Sequence, residues 1–315
     1  MADALRIGLI GAGRWGRNII KTIAGLQGMR LARLASRNPE SLRLVPADCA
    51  VSGDWRAMLD EHAIDAVIIA TPPALHAEMA RSAVERGLPV LVEKPLTLEL
   101  GQAEALRDFV AAHAGTVMVD HTHLFNPAYR ALKRALPRHG AIRAIASLAG
   151  NQGPFRRDVA VLWDWGAHDV AFCLDLLGVA PGPLSAALVA SRETPEGPGQ
   201  VVEIRAEFPG EVSAVLRFGN ILAKARRLSV YLEGGVLVYD DVAQHKLTLH
   251  APARAHEAPR MPGEPLPYEP GMPLACAVGE FAAAARARST SLAGLDLGVD
   301  VVRVLERCAA ALAAA

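Results

Sequence analysis

Residues 5–16 read LRIGLIGAGRWG, an apolar stretch that runs directly into three spaced glycines. Ile19, Ile20 and Ile23 then repeat at the spacing of an amphipathic helix. A second apolar stretch follows at 30–36. The order predicts a strand, a glycine-rich turn, a helix and a second strand, which together form a βαβ unit.

The glycines of this turn have separate roles in a G-x-G-x-x-G motif. Gly11 permits a tight turn, Gly13 lets a pyrophosphate approach the backbone, and Gly16 lets the helix pack closely on the strand. The helix N-terminus, with Arg14 and Trp15, offers free N–H groups to phosphates. The motif therefore predicts a dinucleotide-binding site.

The hydrophobic pattern changes along the chain. Apolar runs at 66–70, 88–92 and 116–119 are continuous, which is typical of parallel strands covered by helices on both faces. Residues 202–208 and 212–218 instead alternate between apolar and polar, as antiparallel strands with one wetter face do. The sequence predicts an α/β protein that continues into a sheet-rich α+β domain.

Shorter elements complete this prediction. Ser191–Gln200 is predicted as a loop, and a second loop at 251–273 holds seven prolines, which exclude strand and helix. We interpret the second loop as a surface connector or as an arm that reaches a neighbouring subunit or the mouth of the site. The helices after it belong to the second domain or pack back on the first. Further short strands are predicted at 142–148, 228–232, 236–239 and 247–249, with Gly234-Gly235 as a hairpin turn.

Composition narrows the class of protein. With 315 residues, 51% of them hydrophobic, the chain is long enough for about two domains. The 33 basic and 33 acidic residues give a formal net charge of zero, which disfavours a nucleic-acid binder. No apolar run reaches the ~18 residues of a membrane helix. The four scattered cysteines predict neither disulfides nor a metal site, so we expect a cytoplasmic protein without a membrane span.

The tip of the second strand bears on the choice of cofactor. A carboxylate there binds the free 2′-hydroxyl of NAD and repels the 2′-phosphate of NADP. This chain has Ser36 and Arg37 instead. A hydroxyl beside a guanidinium favours NADP(H), with NAD(H) as the alternative. Glu40 is close enough to weaken that inference if the loop folds back.

Two further segments carry residues suited to proton transfer. Lys94 stands between Glu93 and Pro95 at the end of the fifth strand, at the sheet edge where ligands bind. Asp164 and His168 lie one helical turn apart, so they share a helix face, and the imidazole titrates near neutral pH. The structural alternatives are a surface lysine, a helix N-cap and a buried histidine.

A loop before the predicted helix, at 151–157, reads NQGPFRR. Arg156 or Arg157 is suited to hold a phosphate or carboxylate of the substrate, because guanidinium binds such groups through two hydrogen bonds. A phosphate contact favours a nucleotide-linked sugar, and its absence favours a free sugar or cyclitol. A solvated loop arginine is the alternative.

The motifs occur in an order that resembles the Gfo/Idh/MocA oxidoreductases over nearly the whole chain. They are the glycine turn, Ala70-Thr71-Pro72-Pro73 with His76, Glu93-Lys94-Pro95, and the segment from Asp164 to His168. The resemblance implies a Rossmann domain at 1–122, a doubly wound parallel sheet, followed by an α+β domain at 123–315 with a large, mostly antiparallel open sheet. It also implies an active site between the domains and a homodimer or homotetramer.

The resemblance implies roles for single residues as well. The match to Lys94 bonds the reacting hydroxyl or the nicotinamide ribose, the match to His168 is the acid/base, and the match to Asp164 contacts substrate. Residues 121–127 match the domain crossover, where relatives often have arginine or tyrosine and this chain has His123. Thr71, Pro72, His76 and Glu93 match residues that line the cofactor, and His123, Asn126 and Arg156 are assigned to the substrate.

The predicted function is hydride transfer between a nicotinamide cofactor and a secondary alcohol or ketone of a sugar, nucleotide-sugar or cyclitol. One alternative is a catalytically silent protein of the same family that binds dinucleotide and regulates a partner. Another is a reductase of an imine or a non-sugar carbonyl. Lys94, Asp164 and His168 together argue against the silent protein, since a sensor needs only the glycine turn.

Overall fold

A computed structural model describes residues 4–60 and 62–314. Contacts divide the chain into two units. The first comprises the residues up to Thr122 together with Met272–Val302, and the second comprises His123–Gly271 together with the residues from Arg303 onward. Residues 272–302, which the sequence assigned to the second domain or to packing back on the first, are thus part of the first unit.

The secondary structure alternates in the first unit and is rich in strands in the second. The helices are α1 (Arg14–Ala24), α2 (Trp55–Asp60), α3 (His76–Glu85), α4 (Leu100–Ala112), α5 (Pro127–Ala135), α6 (Val161–Leu177), α7 (Pro273–Ala287) and α8 (Ala293–Ala313). The strands of the first unit are β1 (Leu5–Ile10), β2 (Met29–Ala35), β3 (Ala50–Ser52), β4 (Ala66–Ile69), β5 (Val90–Glu93) and β6 (Val117–Asp120). Those of the second are β7 (Ile142–Gln152), β8 (Leu184–Thr194), β9 (Gly197–Phe208), β10 (Val212–Gly219), β11 (Ile221–Leu232), β12 (Gly235–Asp240), β13 (Leu247–His250) and β14 (Glu264–Pro265).

The first unit is built on a parallel sheet in the order β3-β2-β1-β4-β5-β6. This is the doubly wound arrangement that the continuous apolar runs predict, and it is confirmed. The strand order reverses between β1 and β4, where such sheets bind ligands beyond their carboxyl ends. Ile19 and Ile23 of α1 share a buried cluster with Val278 and Phe281 of α7, so the returning segment completes this core.

The second unit is built on an eight-stranded sheet in the order β14-β13-β12-β11-β7-β10-β9-β8. Only β7 and β10 pair in parallel among its described strands, so the mostly antiparallel open sheet is confirmed. Helix α6 approaches this sheet closely at Gly166, where a Cβ atom would lie 2.8 Å from the Phe218 ring. The missing side chain lets α6 pack this closely, and α6 ends at Gly178, which has a left-handed backbone.

Two loop predictions need correction. The segment Ser191–Gln200 is wrong as a loop, because β8 continues to Thr194 and β9 begins at Gly197. The Thr194 hydroxyl donates to the Gly197 carbonyl at 2.5 Å, which closes a tight hairpin despite the prolines and glycines around it. The loop at 251–273 contains the two-residue strand β14, and its last proline opens α7 at a position where a missing N–H costs nothing.

Within the described ranges, no helix is both long enough and apolar enough to cross a membrane. In the same ranges, no group of three or more His, Cys, Asp or Glu side chains is arranged to hold a metal ion.

Gly11 and Gly13, in the turn between β1 and α1, differ in the space available for a Cβ atom and therefore provide a matched pair of variants. Gly11→Ala places a Cβ against the Ala70 carbonyl oxygen in a backbone with φ +100. We expect it to lower the free energy of unfolding by about 1–3 kcal/mol. Gly13→Ala adds a Cβ that meets nothing within 4 Å, so its loss should stay below about 1 kcal/mol. Urea denaturation measures both, and equal losses would contradict this account of the turn.

Candidate functional site

The turn between β1 and α1 leaves space at only one of its three motif glycines. A Cβ at Gly11 would strike the Ala70 carbonyl, and one at Gly16 would strike the Gly11 carbonyl. Gly13, which caps α1, faces open space. The opening lies where the sequence predicts that a pyrophosphate approaches the backbone.

The start of α1 is also suited to an anion. No side chain in the described structure caps Gly13 by a hydrogen bond, and the first turn contains no acidic residue. The first N–H groups of the helix, at Arg14, Trp15 and Gly16, therefore keep their positive partial charge without a side-chain acceptor at the cap. This cradle fits the diphosphate of a dinucleotide.

The tip of β2 is organised by Ser36. Its hydroxyl lies 2.8 Å from the Ser41 hydroxyl and accepts from the Asn38 backbone N–H at 3.3 Å. Arg37 is exposed. Glu40 forms a solvent-exposed ion pair with Arg43 at 2.7 Å, within its own turn. The tip thus presents a guanidinium without a competing free carboxylate from Glu40.

His76 connects two of the predicted cofactor segments. It is fully buried at the start of α3. Its Nε2 lies 2.9 Å from the Thr71 carbonyl oxygen and its Nδ1 lies 3.0 Å from that of Pro95. Burial lowers the pKa of His76. Its visible role is to position the Thr71-Pro72 loop beside the loop that carries Lys94, and direct cofactor contact stays a prediction.

The edge of the sheet at β5 and β6 holds two acidic residues side by side. Glu93 ends β5 and Asp120 ends β6, and the two are partners in the strand register. Glu93 is 7% exposed and Asp120 is 0% exposed. Lys94 follows directly and is half-buried, with a cis bond to Pro95. Asp120 is a site residue that the sequence analysis missed.

Burial dominates the electrostatics at this edge. It raises the pKa of Asp120 to about 6, although the Thr122 hydroxyl, which donates to Asp120 at 2.9 Å, acts to lower that pKa. Burial, followed by the negative charge of Asp120, raises the pKa of Glu93 well above its usual range. Lys94 and a hydrogen bond from Trp15 oppose that shift.

In the second unit, α6 carries Asp164 and His168 one turn apart. Asp164 lies in the first turn but Ala160 is the N-cap, so the N-cap interpretation of Asp164 is wrong. Arg156 approaches the Asp164 carboxylate at 3.7 Å. The same guanidinium donates to both carboxylate oxygens of Asp158, at 2.9 and 2.7 Å. Arg156 is therefore shared between two carboxylates, and its contact with substrate stays a prediction.

His168 stands beside His123. The two imidazole rings meet edge to face, with centroids 4.6 Å apart. Phe172, one turn further along α6, lies 6.2 Å from the His123 ring and 4.7 Å from the ring of Tyr129. The structure thus brings together the predicted acid/base and the residue that departs from the family pattern, on an aromatic base that the sequence analysis did not identify.

Asn126 has a different environment from the other predicted substrate residues. It is 2% exposed, and its Oδ1 accepts from the Ala128 N–H at 3.0 Å, which caps α5. Its Nδ2 donates to the Tyr239 hydroxyl at 2.9 Å and to Asp241 at 3.1 Å. The amide is occupied on both sides by protein groups, so its visible role is structural and its role in substrate binding stays a prediction.

The loop that carries Arg156 is anchored by Asn220. The Asn220 side chain accepts from the Gln200 N–H at 2.7 Å and donates to the Pro198 carbonyl at 3.0 Å, while its backbone carbonyl accepts from Gly153 at 2.8 Å. Arg157 donates to the Pro195 carbonyl at 3.3 Å. Side-chain contacts of this kind join segments distant in sequence, so spacing along the chain gave no sign of them.

The occupied amide of Asn126 leads to a stability prediction. Asn126→Ala removes the cap of α5 and leaves the Tyr239 hydroxyl without this donor, so we expect a loss of about 2 kcal/mol in unfolding free energy. Asn126→Ser retains an oxygen that can cap the helix and should lose less. Chemical denaturation of both variants measures the difference. An alanine variant as stable as the wild type would contradict the structural role.

Comparisons with known proteins agree with this arrangement. The profile of an oxidoreductase family with an NAD-binding Rossmann fold, GFO_IDH_MocA, matches residues 5–121. The chain is also similar to a crystal structure from Magnetospirillum magnetotacticum MS-1 that is provisionally assigned as an oxidoreductase. That protein is 48% identical, the match covers 97% of this chain and 100% of the other, and the TM-score is 0.93.

Two relatives with assigned activities match over shorter segments. UDP-N-acetylglucosamine 3-dehydrogenase from Acidithiobacillus ferrooxidans is 30% identical over 192 residues, 59% of each chain. A solved structure of that enzyme is 25% identical, with a TM-score of 0.82 over 99% of this chain and 98% of the other. Inositol 2-dehydrogenase 4 from Saccharopolyspora erythraea is 35% identical over 142 residues, 42% of this chain and 40% of the relative.

In sequence, the chain spans about half the length of these curated relatives. The near-complete match to the Magnetospirillum structure extends the similarity over the second unit as well. With the glycine turn and the Glu93-Lys94-Pro95 segment in place, the chain belongs to the Gfo/Idh/MocA family of oxidoreductases.

Proposed function

We propose that this protein transfers a hydride between a nicotinamide cofactor and a secondary alcohol or ketone of a sugar, nucleotide-sugar or cyclitol. The observation that carries the proposal is the placement on α6 of Asp164 one turn before His168, whose ring lies against His123. A protein that only binds dinucleotide has no use for such proton-transfer groups. The names of two relatives, one for a nucleotide sugar and one for a cyclitol, support the substrate class.

The first unit supplies the groups that would hold the cofactor. The open backbone at Gly13 and the first N–H groups of α1 suit the diphosphate. Ser36 and Arg37 stand where the adenine ribose is bound in folds of this kind, and they favour a 2′-phosphate. Thr71 and Pro72 follow the end of β4, the strand next to β1, and would line the cofactor there. When bound, the nicotinamide ring accepts or donates the hydride.

Proton transfer falls to the protein. His168 takes the hydroxyl proton as the alcohol is oxidised and returns it when the ketone is reduced, because an imidazole titrates near neutral pH. Lys94 stabilises the negative charge that develops on the substrate oxygen. Asp164 accepts a hydrogen bond from substrate, and Arg156 lies 3.7 Å from its carboxylate.

The pairing of Arg156 bears on substrate charge. Its guanidinium donates hydrogen bonds to both carboxylate oxygens of Asp158, and the Asp164 carboxylate lies 3.7 Å away. A cation already shared by two carboxylates binds a phosphate weakly, since the anion must displace or repel them. We therefore favour a free sugar or cyclitol over a nucleotide-linked sugar, with exposed Arg157 as the remaining candidate for a phosphate contact.

Lys94→Ala tests the catalytic assignment. We expect turnover to fall by at least ~100-fold, because the charge that stabilises the developing alkoxide is lost, while dinucleotide affinity changes little. The assay is the change in nicotinamide absorbance with a panel of inositols, aldoses and UDP-sugars. Lys21→Ala, on an exposed position of α1, serves as the matched control and should retain wild-type turnover.

The outcomes separate the two functions. Undiminished turnover in the Lys94 variant would refute its catalytic role. Dinucleotide binding without turnover of any ketose, aldose, inositol or UDP-sugar by the wild type would favour the silent regulatory protein.

Cofactor preference is tested by calorimetric titration with NADPH and NADH. We expect NADPH to bind more tightly, and Arg37→Ala to weaken NADPH binding by roughly 10- to 100-fold, the loss expected for one charge-assisted hydrogen bond. NADH affinity should stay within about twofold, because NADH lacks the 2′-phosphate. Arg81→Ala on α3 is the control. Tighter binding of NADH by the wild type would overturn the proposed role of Arg37.

A further inference from the structure

Glu93 and Asp120 form a carboxyl pair at the ligand-binding edge of the parallel sheet. They are the last residues of β5 and β6 and are directly opposite in register. Neighbouring residues in register place their side chains on the same side of a sheet. Both side chains are buried, so water does not screen their mutual repulsion.

The hydrogen-bond donors around the pair are too few for two ionised carboxylates. Thr122 donates to Asp120 Oδ1 at 2.9 Å, and Trp15 donates to Glu93. Among the described residues, Glu93 Oε1 and Asp120 Oδ2 are buried without any hydrogen-bond partner. Leaving two such acceptors bare is costly, and a single proton on one carboxyl converts it into a donor for the other.

The charged groups around the pair are also limited. Lys94 follows Glu93 and is the cation that acts on both carboxyls. His121 follows Asp120 and is 2% exposed. His76, on α3, is buried. Its burial and the positive charge of Lys94 both act to lower its pKa, which favours the neutral imidazole. One ammonium therefore faces two carboxyl groups.

We propose that Glu93 and Asp120 hold one proton between them and act as a single negative charge that stabilises the positive charge of Lys94. Asp120 is then a positioning residue, which acts through Glu93 and Lys94. The effect on Lys94 rests on the proposed function, whereas the shared proton does not. The pair together with Lys94 is electrically neutral, which suits a half-buried cation that stabilises a developing alkoxide.

Titration behaviour supports this geometry. Burial raises the pKa of Asp120 to about 6 and raises that of Glu93 well above its usual range. Both shifts favour the protonated form of a carboxyl, which agrees with one proton held by the pair. As pH falls through about 6 it gains a second proton and loses its charge. Two coupled carboxyls in a buried site titrate in separate steps for the same reason.

Infrared spectroscopy of the purified protein tests the shared proton without substrate. At neutral pH we expect the C=O stretch of a protonated carboxyl, shifted in D₂O. Asp120→Asn and Glu93→Gln should each remove it, because an amide donor lets the remaining carboxyl ionise. Asp169→Asn should retain it, which separates this band from that of the other buried carboxyl with a raised pKa. Absence of the band from the wild type, or its survival in both variants of the pair, would overturn the proposal.

Thr122→Val provides a directional check. The Thr122 hydroxyl stabilises ionised Asp120, so its removal should move the uptake of the second proton to higher pH. The infrared band intensity, followed against pH, reports the shift. A shift to lower pH would contradict the assignment of the band to this pair.

The pH dependence of turnover tests the effect on Lys94. Each single variant retains one negative charge, so we expect the basic limb of the profile to stay in place. Glu93→Gln with Asp120→Asn removes the charge, and the limb should move down by about 1–3 pH units. An unmoved limb in the double variant would refute the link to Lys94. An infrared band without turnover of any substrate would refute the proposed function and leave the shared proton standing.

Discussion

Backbone contact among Gly11, Gly16 and Ala70 is the constraint on which the first unit depends. The end of β1, the first turn of α1 and the end of β4 approach so closely that neither glycine position has room for a Cβ. This brings the N-terminus of α1 to the sheet edge at the point where the strand order reverses. Thr71 and the Glu93-Lys94 segment leave neighbouring strands at the same edge, so one steric requirement positions the anion cradle beside the charged groups.

The second unit uses the same device on an antiparallel sheet. Gly166 lets α6 lie against Phe218 and Leu305, and the rotation of the helix about its axis is thereby fixed. Asp164 and His168 flank this contact along the helix. Asp169, on the inward side, is 1% exposed and faces Arg226 at 3.5 Å. A small residue at the closest contact thus determines which residues of α6 face the core.

The sequence predicted what depends on spacing along the chain. Continuous apolar runs identified the parallel strands, and the glycine turn identified the dinucleotide cradle. Contacts between neighbouring strands could not be predicted from spacing. Asp120 belongs to the site because it is the register partner of Glu93, and that register is visible only in the structure. Strand β8 was missed because most of its side chains are exposed, which removes the apolar alternation that marks a strand. The aromatic residues under His123 are also distant in sequence, and nothing in their spacing links them to it.

Buried carboxyl groups in this chain are neutralised in different ways. The kind of partner distinguishes carboxyls with a structural role from the pair for which we propose a functional role. Burial acts to raise the pKa of Glu203, but Arg217 and Arg205 outweigh burial and the pKa is lowered. Glu203 therefore forms ion pairs with two arginines within the sheet. Asp169 has Arg226. Glu93 and Asp120 face no arginine in the described structure, and the cation beside them is Lys94, for which we propose a role in the reaction. A guanidinium would have neutralised the pair permanently, since it does not lose its proton. A shared proton neutralises one carboxylate of the pair reversibly. The charge at this edge of the sheet can therefore change with pH and with the charge of a bound substrate.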